Sequence, residues 1–325
     1  MGGFIVTGGA GFIGSDLVAA LNARGIDDIL VVDRRDHPAR GRNLACRRYR
    51  EYLDLADFRA ACRARTLPPA TTVFHLGACS DTTETDAAYL EDNNTRYTEE
   101  LCRWALETGA RFIYASSAAT YGDGALGYAD DDALTPRLQP LNLYGRSKQA
   151  FDLLALREGW LVRIAGLKYF NVYGPGEDHK GEMRSVVHKA FGQIRATGEL
   201  GLFRSYRPDF RDGEQRRDFL HVRDAVAVTL FFHDHPGVSG LFNCGTGRAR
   251  TWLDLGRAVF AALGRAPRIK FIEMPVAIRA NYQYHTEADL RKLRAAGCGH
   301  EFLSLEDGVR DYVQNYLERQ ENKVG

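Results

Sequence analysis

This 325-residue chain has few lysines, no excess of basic residues and no long apolar run. Only seven of its 43 basic residues are lysine, and 42 acidic residues leave a net charge of +1. A near-neutral chain lacks the basic excess typical of a general nucleic-acid binder. The longest nearly apolar run, 225–232, is far shorter than the ~20 residues that a membrane-spanning helix needs. The N-terminus has neither the basic nor the apolar segment of a secretory signal. We therefore expect a cytoplasmic protein without a nucleic-acid or membrane partner.

Closely spaced cysteines are also missing. The six cysteines lie far apart and form no Cys-x-x-Cys pair, so neither a zinc motif nor a dithiol redox motif is indicated. His233 and His235 are close in sequence, but a third and a fourth ligand at metal-site spacing are absent. We predict no metal site, and we expect free thiols in a reducing compartment.

Short β-branched runs alternate with helical patterns over the first 170 residues. This alternation predicts βαβ units and an α/β fold with a doubly wound parallel sheet. The predicted strands are 4–7, 29–33, 72–76, 111–116 and 162–169, and the predicted helices are 15–24, 55–64, 95–108 and 147–158. Beyond residue 175 the pattern loosens, and only a helix near 185–197, a strand at 240–246 and a helix at 305–318 stand out.

The loss of regular strand–helix alternation after residue 175 predicts a second, smaller and partly interleaved C-terminal lobe. We expect residues 1–174, with about 218–247, to form a dinucleotide-binding domain. The remaining segments, about 175–217 and 248–325, would then form a substrate-binding lobe.

A glycine-rich segment follows the first predicted strand and opens the first helix. Residues 7–14 read Thr-Gly-Gly-Ala-Gly-Phe-Ile-Gly, which places glycines at Gly8, Gly11 and Gly14. Glycine lets the backbone turn tightly and approach a pyrophosphate, whose charge then lies at the helix N-terminus. Asp33 ends the second strand 19 residues after Gly14, where a ribose-binding carboxylate is expected. The segment therefore predicts a dinucleotide coenzyme.

The arginines that follow Asp33 help to predict whether the coenzyme is NAD or NADP. A carboxylate repels a 2′-phosphate, but Arg34, Arg35, Arg40 and Arg42 follow at once and could neutralise one. A solvated basic loop is the alternative. We predict NADP, with NAD also tolerated.

A serine pair and a Tyr-x-x-x-Lys motif form the candidate catalytic set. Ser116 and Ser117 end the fourth predicted strand, at the sheet edge where α/β proteins bind ligands. Tyr144 and Lys148 lie four residues apart at the start of a helix, hence on one face. A nearby cation and an oxidised nicotinamide would lower the pKa of the phenol and make it a base. Ser117 would stabilise charge on the substrate oxygen.

With these motifs on one chain, the sequence resembles the extended short-chain dehydrogenase/reductase superfamily of nucleotide-sugar epimerases and dehydratases. Within it, the sequence is most similar to the family of ADP-heptose 6-epimerases, over nearly the whole chain. The more specific matches are the segments 77–84, 92–94, 114–122, 169–175 with 179–181, 217–219, 242–247, 282–283 and 288–297.

This resemblance implies reversible oxidation at C6 of the heptose by a tightly held NADP, with the hydride returned to the other face of a ketone. Tyr144 and Lys180 would be the two acid/base groups, and Lys148 would orient the coenzyme. It further implies a homo-oligomer, a ring of five subunits. The coenzyme-lining residues would be Phe12, Ile13, Asp33, Arg34, Arg40, Leu76, Gly77, Ala78, Cys79, Ser80, Asn93, Lys148, Val172 and Lys180. The sugar nucleotide would be held by Asn171, Glu182, Lys189, Phe203, Arg217 and Tyr282.

Other functions remain open at this stage. Leu76 stands where the family has an acidic residue, and Glu182 where it has a small polar one. Dehydratases place an acidic pair after the catalytic serine, whereas Ala118 and Ala119 follow here. A nucleotide-hexose 4-epimerase would have no evident need for a second base. Independently of that choice, the alternative role for Lys180 is a pyrophosphate contact only. A non-catalytic nucleotide-sensing protein would be expected to lose Tyr144 or Lys148.

Overall fold

A seven-stranded sheet whose strands all run parallel forms the centre of the fold. The structure is a computed structural model that describes residues 2–279 and 282–324. Along the sheet the strand order is β10-β6-β5-β4-β1-β2-β3. These strands are β1 Gly3–Thr7, β2 Ile29–Asp33, β3 Glu51–Asp54, β4 Ala70–His75, β5 Arg111–Ser117, β6 Ala165–Tyr169 and β10 Gly240–Cys244.

Within residues 2–279 and 282–324, five further strands lie outside this sheet. A three-stranded sheet has the order β11-β9-β7, and a two-stranded sheet pairs β12 with β8. Their bounds are β7 Asn171–Tyr173, β8 Leu200–Phe203, β9 Arg216–His221, β11 Ala249–Thr251 and β12 Ile269–Ile272.

Helices cover both faces of the parallel sheet. The helices are α1 Phe12–Ala23, α2 Arg40–Asn43, α3 Leu55–Arg63, α4 Ala87–Leu90, α5 Tyr97–Thr108, α6 Leu143–Arg157, α7 Val186–Thr197, α8 Val222–Asp234, α9 Trp252–Ala262, α10 Val276–Arg279, α11 Arg291–Ala295, α12 Leu305–Tyr312 and α13 Glu318–Val324. Side chains of α1 and α8 pack on one face, beside Val6, Val31 and Phe74. Side chains of α3, α5 and α6 pack on the other, beside Ile5 and Leu30. The predicted doubly wound fold is confirmed.

A separate hydrophobic cluster lies under the later elements. It joins α7, α9 and α12 with Leu200 and Leu202 of β8 and with Phe219 of β9. The division of the chain into a coenzyme domain and a substrate lobe stays a prediction.

Several element boundaries differ from the sequence prediction. The strand expected at 162–169 begins only at Ala165, because Trp160–Val162 forms a 3₁₀ turn that leaves Val162 80% exposed. The edge strand β3 was not predicted, since four residues with polar ends carry almost no strand periodicity. Helix α8 was not predicted either, because its apolar run fits a buried strand equally well. The helix expected at 305–318 is α12, which continues through a π-helical turn at Val313–Leu317 into α13.

Across residues 2–279 and 282–324, every helix is too short or too polar to cross a membrane.

Candidate active site

A cleft of about 880 Å³ opens where β1, β2, β4, β5 and β6 end. Its volume is within the range of small-molecule and cofactor sites. The chain runs from β1 outward through β2 and β3, then crosses to β4 on the other side of β1. This crossing creates the topological switch point at which open α/β sheets bind ligands.

Most of the predicted site residues meet in this cleft. Nineteen residues of the predicted set line it: Gly8, Gly11, Phe12, Ile13, Gly14, Asp33, Arg34, Leu76, Gly77, Ala78, Cys79, Ser80, Asn93, Ser117, Tyr144, Lys148, Asn171, Val172 and Lys180. Six others lie outside the lining as the described residues define it: Arg40, Glu182, Lys189, Phe203, Arg217 and Tyr282.

The glycine loop is too tightly packed for side chains at two of its positions. Gly8 has φ +68°, and a Cβ there would lie 2.7 Å from the backbone nitrogen of Gly77. A Cβ on Gly14 would lie 2.1 Å from the carbonyl oxygen of Gly8. Gly11 caps α1, so the free N–H groups of the first helical turn face the cleft. The loop therefore offers the donors and positive helix end that a dinucleotide pyrophosphate requires.

Asp33 fixes the glycine loop from the end of β2. One carboxylate oxygen accepts from the backbone N–H of Ala10 at 3.0 Å, and the other from that of Arg34 at 2.9 Å. Each oxygen keeps a further lone pair, so the carboxylate can still accept a ribose hydroxyl. The Arg34 side chain is exposed beside it, and Arg40 stacks 3.8 Å above the ring of Tyr52. Two cations thus lie near the expected ribose position, although Arg40 lies outside the lining of the cleft.

The loop after β4 is held by Asn94, which was not predicted as a site residue. Its side-chain oxygen accepts from the N–H of Cys79 at 2.8 Å, and its amide donates to the Cys79 carbonyl at 3.0 Å. The amide also donates to the hydroxyl of Ser147 at 3.0 Å. Asn94 therefore joins the coenzyme-lining loop to helix α6. Its neighbour Asn93 belongs to the same sequence motif, so only the hydrogen bonds seen in the structure distinguish the two asparagines.

A fully buried histidine supports the same loop. His75 shares hydrogen bonds with Thr7 at 2.7 Å and Thr98 at 2.9 Å. Burial, with Lys148 nearby, holds the pKa of His75 well below its usual value. The ring is therefore neutral at physiological pH, with one nitrogen donating and the other accepting.

Ser117, Tyr144 and Lys148 come together as the sequence predicts. Ser117 ends β5, and the Tyr144 phenol lies beside it in the cleft, in the first turn of α6. Lys148 is buried one turn later, and its ammonium donates to the Ala115 carbonyl at 2.9 Å. Burial lowers the pKa of Lys148 to about 8.

The pKa of Tyr144 depends on burial as well as on nearby charge. Burial raises the pKa of Tyr144 above its usual value, and the nearby Ser117 hydroxyl opposes that rise only in part. In the chain without coenzyme, desolvation of the phenolate dominates. The expected lowering by Lys148 together with an oxidised nicotinamide stays a prediction. A lowered Tyr144 pKa would need the additional positive charge of an oxidised nicotinamide.

Lys180 reaches the cleft from a 3₁₀ segment, Asp178–Met183. Its ammonium lies 5.4 Å from the centre of the Phe12 ring, and burial lowers its pKa, the direction expected from the sequence. Glu177 is completely buried and accepts from the Ser185 hydroxyl at 2.7 Å. Asp178 accepts from the Tyr316 hydroxyl at 2.6 Å. Two carboxylates thus anchor the segment that carries Lys180.

The predicted substrate residues fall into two groups. Arg217 is buried against Trp252 and Tyr282, with its guanidinium carbon 5.5 and 5.1 Å from the two ring centres. Trp252 donates to the Tyr282 hydroxyl at 2.8 Å and itself lines the cleft. Phe203 packs edge-on against Tyr282, with ring centres 6.4 Å apart. The cluster therefore backs one wall of the cleft.

Glu182 and Lys189 form the second group, away from the cleft. They pair with each other at 3.3 Å, and the Glu182 side chain is 95% exposed. A substrate contact by either would require the pair to open. Trp252, Gln283 and Thr286 line the cleft instead, and of these only Gln283 belonged to a recognised motif.

Comparisons with known proteins agree with this geometry. A model of the NAD dependent epimerase/dehydratase family matches residues 4–245. An ADP-L-glycero-D-manno-heptose-6-epimerase of Nitratidesulfovibrio vulgaris is 56% identical over 315 residues, covering 97% of this chain and 98% of the relative. The crystal structure of the Helicobacter pylori ADP-L-glycero-D-manno-heptose-6-epimerase superposes with a TM-score of 0.79 at 27% identity, covering 97% and 96% of the chains. A Thermus thermophilus UDP-glucose 4-epimerase in complex with NAD has a TM-score of 0.77 at 25% identity, covering 97% and 98%.

Proposed function

The chain belongs to the NAD dependent epimerase/dehydratase family, and from this premise we propose that it inverts C6 of the heptose in ADP-glycero-manno-heptose. The direction would be from the D-glycero to the L-glycero form, which supplies a precursor of the lipopolysaccharide inner core. One observation carries the proposal: a relative that bears this name is 56% identical over 97% of the chain. That similarity extends through both the coenzyme loop and the later elements around Arg217 and Tyr282.

The coenzyme in this proposal is NADP. The glycine loop, the N-terminus of α1 and Asp33 fit a dinucleotide, and Arg34 and Arg40 are nearby cations that would supply counter-charge to a 2′-phosphate. Such a coenzyme, when bound, supplies the hydride acceptor and donor. The residues of the chain then have to orient the sugar and move one proton.

Ser117 and Tyr144 handle the proton in one orientation of the sugar. Ser117 donates a hydrogen bond to the C6 oxygen and stabilises the charge that develops on it. Tyr144 takes the hydroxyl proton as a ketone forms at C6, within the reach that general base catalysis requires. Lys148, fixed on the Ala115 carbonyl, supplies a positive charge one helical turn below the phenol.

Lys180 handles the proton in the other orientation. Inversion requires the intermediate to present its opposite face to a fixed hydride donor, so the oxygen moves to a different part of the cleft. Lys180 enters the cleft on a separate segment from Tyr144. Its lowered pKa leaves more neutral amine, the form that accepts a proton.

Incubation with ADP-D-glycero-D-manno-heptose tests the function directly. We expect the purified chain to convert it to a mixture of both C6 epimers, followed by NMR or chromatography. UDP-glucose is the comparison substrate, and conversion of UDP-glucose alone would replace the proposal with a hexose 4-epimerase. Absence of conversion of either would contradict catalysis of this class.

Two variants test the roles of the acid/base groups. Tyr144→Phe and Lys180→Met should each lower the epimerisation rate by at least about 100-fold, the usual contribution of a general acid or base. A C6 aldehyde analogue, which can disproportionate without inversion, reports whether one orientation still reacts in each variant. If Lys180→Met epimerises at close to the wild-type rate with coenzyme saturated, the two-base assignment is wrong.

A further inference from the structure

A buried group of charges lies behind the catalytic pair and takes no part in the proton transfers described above. Asp152 of α6 and Lys168 of β6 are 0% and 1% exposed, and the ammonium lies 3.5 Å from a carboxylate oxygen. Burying an ion pair costs desolvation energy that hydrophobic residues of the same volume would avoid. Stability alone therefore does not explain why this ion pair is buried.

Asp152 makes contacts that lead directly to the site. Its two oxygens accept from the Tyr114 hydroxyl at 2.8 Å and from the Ser116 hydroxyl at 2.7 Å. Tyr114 and Ser116 belong to β5, and Ser116 immediately precedes Ser117. The carboxylate thus joins α6 to the end of the strand that carries the catalytic serine.

Asp152 also shares a helix face with both catalytic residues of α6. Tyr144, Lys148 and Asp152 follow one another at four-residue intervals, which places them along one side of the helix. Lys168 completes the group from the next strand: it donates to Thr120 at 2.9 Å and lies 4.7 Å above the ring of Tyr121. Asp152 therefore has two ammonium groups near it, and the buried carboxylate of Asp130 adds a second negative charge near Lys168.

The other titratable neighbours of Lys148 supply little negative charge. Cys79 faces it from the loop after β4, and burial raises the pKa of that thiol. His75 faces it from β4 as a neutral ring, and the pKa of Tyr144, on its own helix, is raised. Asp152 is the main group that favours the charged form of Lys148, against the burial that disfavours it.

We propose that Asp152 is a positioning residue for the catalytic pair. Its carboxylate pairs with Lys168, supplies the main negative charge that acts on Lys148 from one helical turn away, and fixes the strand end bearing Ser117 against the helix bearing Tyr144. Lys168 offsets part of the charge of Asp152, so that the carboxylate stays ionised without exposure to water. The catalytic meaning of this arrangement rests on the proposed function, but the arrangement itself can be tested without substrate.

The scarcity of lysine makes the test practicable. Labelling the chain with [13Cε]lysine gives seven side-chain signals, and Lys148→Arg identifies the signal of interest. In the wild-type chain the Lys148 signal should titrate near the pKa of about 8. In Asp152→Asn the midpoint should fall by about one pH unit or more, because an opposite charge is removed from a buried site.

Two further variants separate charge from folding. Tyr114→Phe removes one hydrogen bond to Asp152 but leaves its charge, so it should lower the melting temperature without moving the Lys148 midpoint. Asp152→Asn combined with Lys168→Met removes both members of the ion pair. Because the loss of a nearby cation by itself raises the Lys148 midpoint, the double variant is compared with Lys168→Met, and its midpoint should be lower by about one pH unit or more. This double variant decides the question if Asp152→Asn alone fails to fold.

A Lys148 midpoint in a folded Asp152→Asn that equals the wild-type value, or one in the double variant that equals the value of Lys168→Met, overturns the proposal. Where the wild-type chain epimerises its substrate, the alkaline limb of the kcat profile should move with the NMR midpoint. A wild-type chain that fails to epimerise contradicts the proposed function only, since the NMR titration still reports on Asp152.

Discussion

Lysine and arginine have different uses in this chain. Three of the seven lysines, Lys148, Lys168 and Lys180, are buried or line the cleft with lowered pKa values. An ammonium group can give up its proton within the physiological range, whereas a guanidinium cannot. Where arginine is the default cation, a lysine therefore marks a position at which proton release or a compact charge is useful. We expect the arginines that follow Asp33 to have the other role, as permanent charges for an anion.

Replacing those arginines tests the coenzyme prediction. Arg34→Ala and Arg40→Ala should each weaken NADP binding about fivefold, since an exposed ionic contact contributes up to about 1 kcal/mol. Binding of NAD, which lacks the 2′-phosphate, should change little; calorimetry or fluorescence titration measures both. Arg35→Ala is the matched control, because Arg35 pairs instead with Asp57 at 3.1 Å. Equal losses of affinity for NADP and NAD would show that these arginines do not bind the 2′-phosphate.

At the scale of elements, helix ends place the functional groups and also make stability depend on pH. Asn142 caps α6 just before Tyr144, and Ser185 caps α7 just after the segment of Lys180. His221 caps α8 by accepting from the Arg223 N–H at 3.3 Å. Burial lowers the pKa of His221 to about 4, from the usual 6.5.

This cap predicts a loss of stability in acid. Below about pH 6.5 the unfolded chain binds a proton at position 221, whereas the native chain does so only near pH 4. The free energy of unfolding therefore falls across this window, by on the order of 3 kcal/mol from this one group. His221→Asn keeps a side-chain acceptor for the helix end and removes the titration. Denaturant unfolding should show a shallower decline for the variant than for the wild type, and parallel declines would disprove the assignment.

At the scale of the whole molecule, the resemblance to the epimerases predicts assembly. We expect a homo-oligomer, a ring of five subunits, which sedimentation equilibrium would detect as a mass about five times that of the chain. The expectation derives from the resemblance alone. A single monomeric species at micromolar concentration would exclude it.

Local patterns were enough to predict the glycine loop and the acidic residue at the end of the next strand. Gly8, Gly11, Gly14 and Asp33 follow from the order strand, loop, helix and strand over the first 33 residues. The Tyr144–Lys148 pair was equally predictable, because four-residue spacing puts both side chains on one helix face whatever the helix packs against.

Contacts between distant segments were decided only by the tertiary structure. Asn94 was not distinguishable from Asn93 until the loop after β4 lay beside α6, and Glu182 was placed with the substrate although its side chain points to solvent. Asp152 is buried because β5, β6 and α6 pack together in one core. No periodicity in the sequence predicts that these three elements pack together. The rise in the Tyr144 pKa has the same origin. The sequence by itself determined which residue types were available, but desolvation, which sets their charge, arises only when remote elements exclude water together.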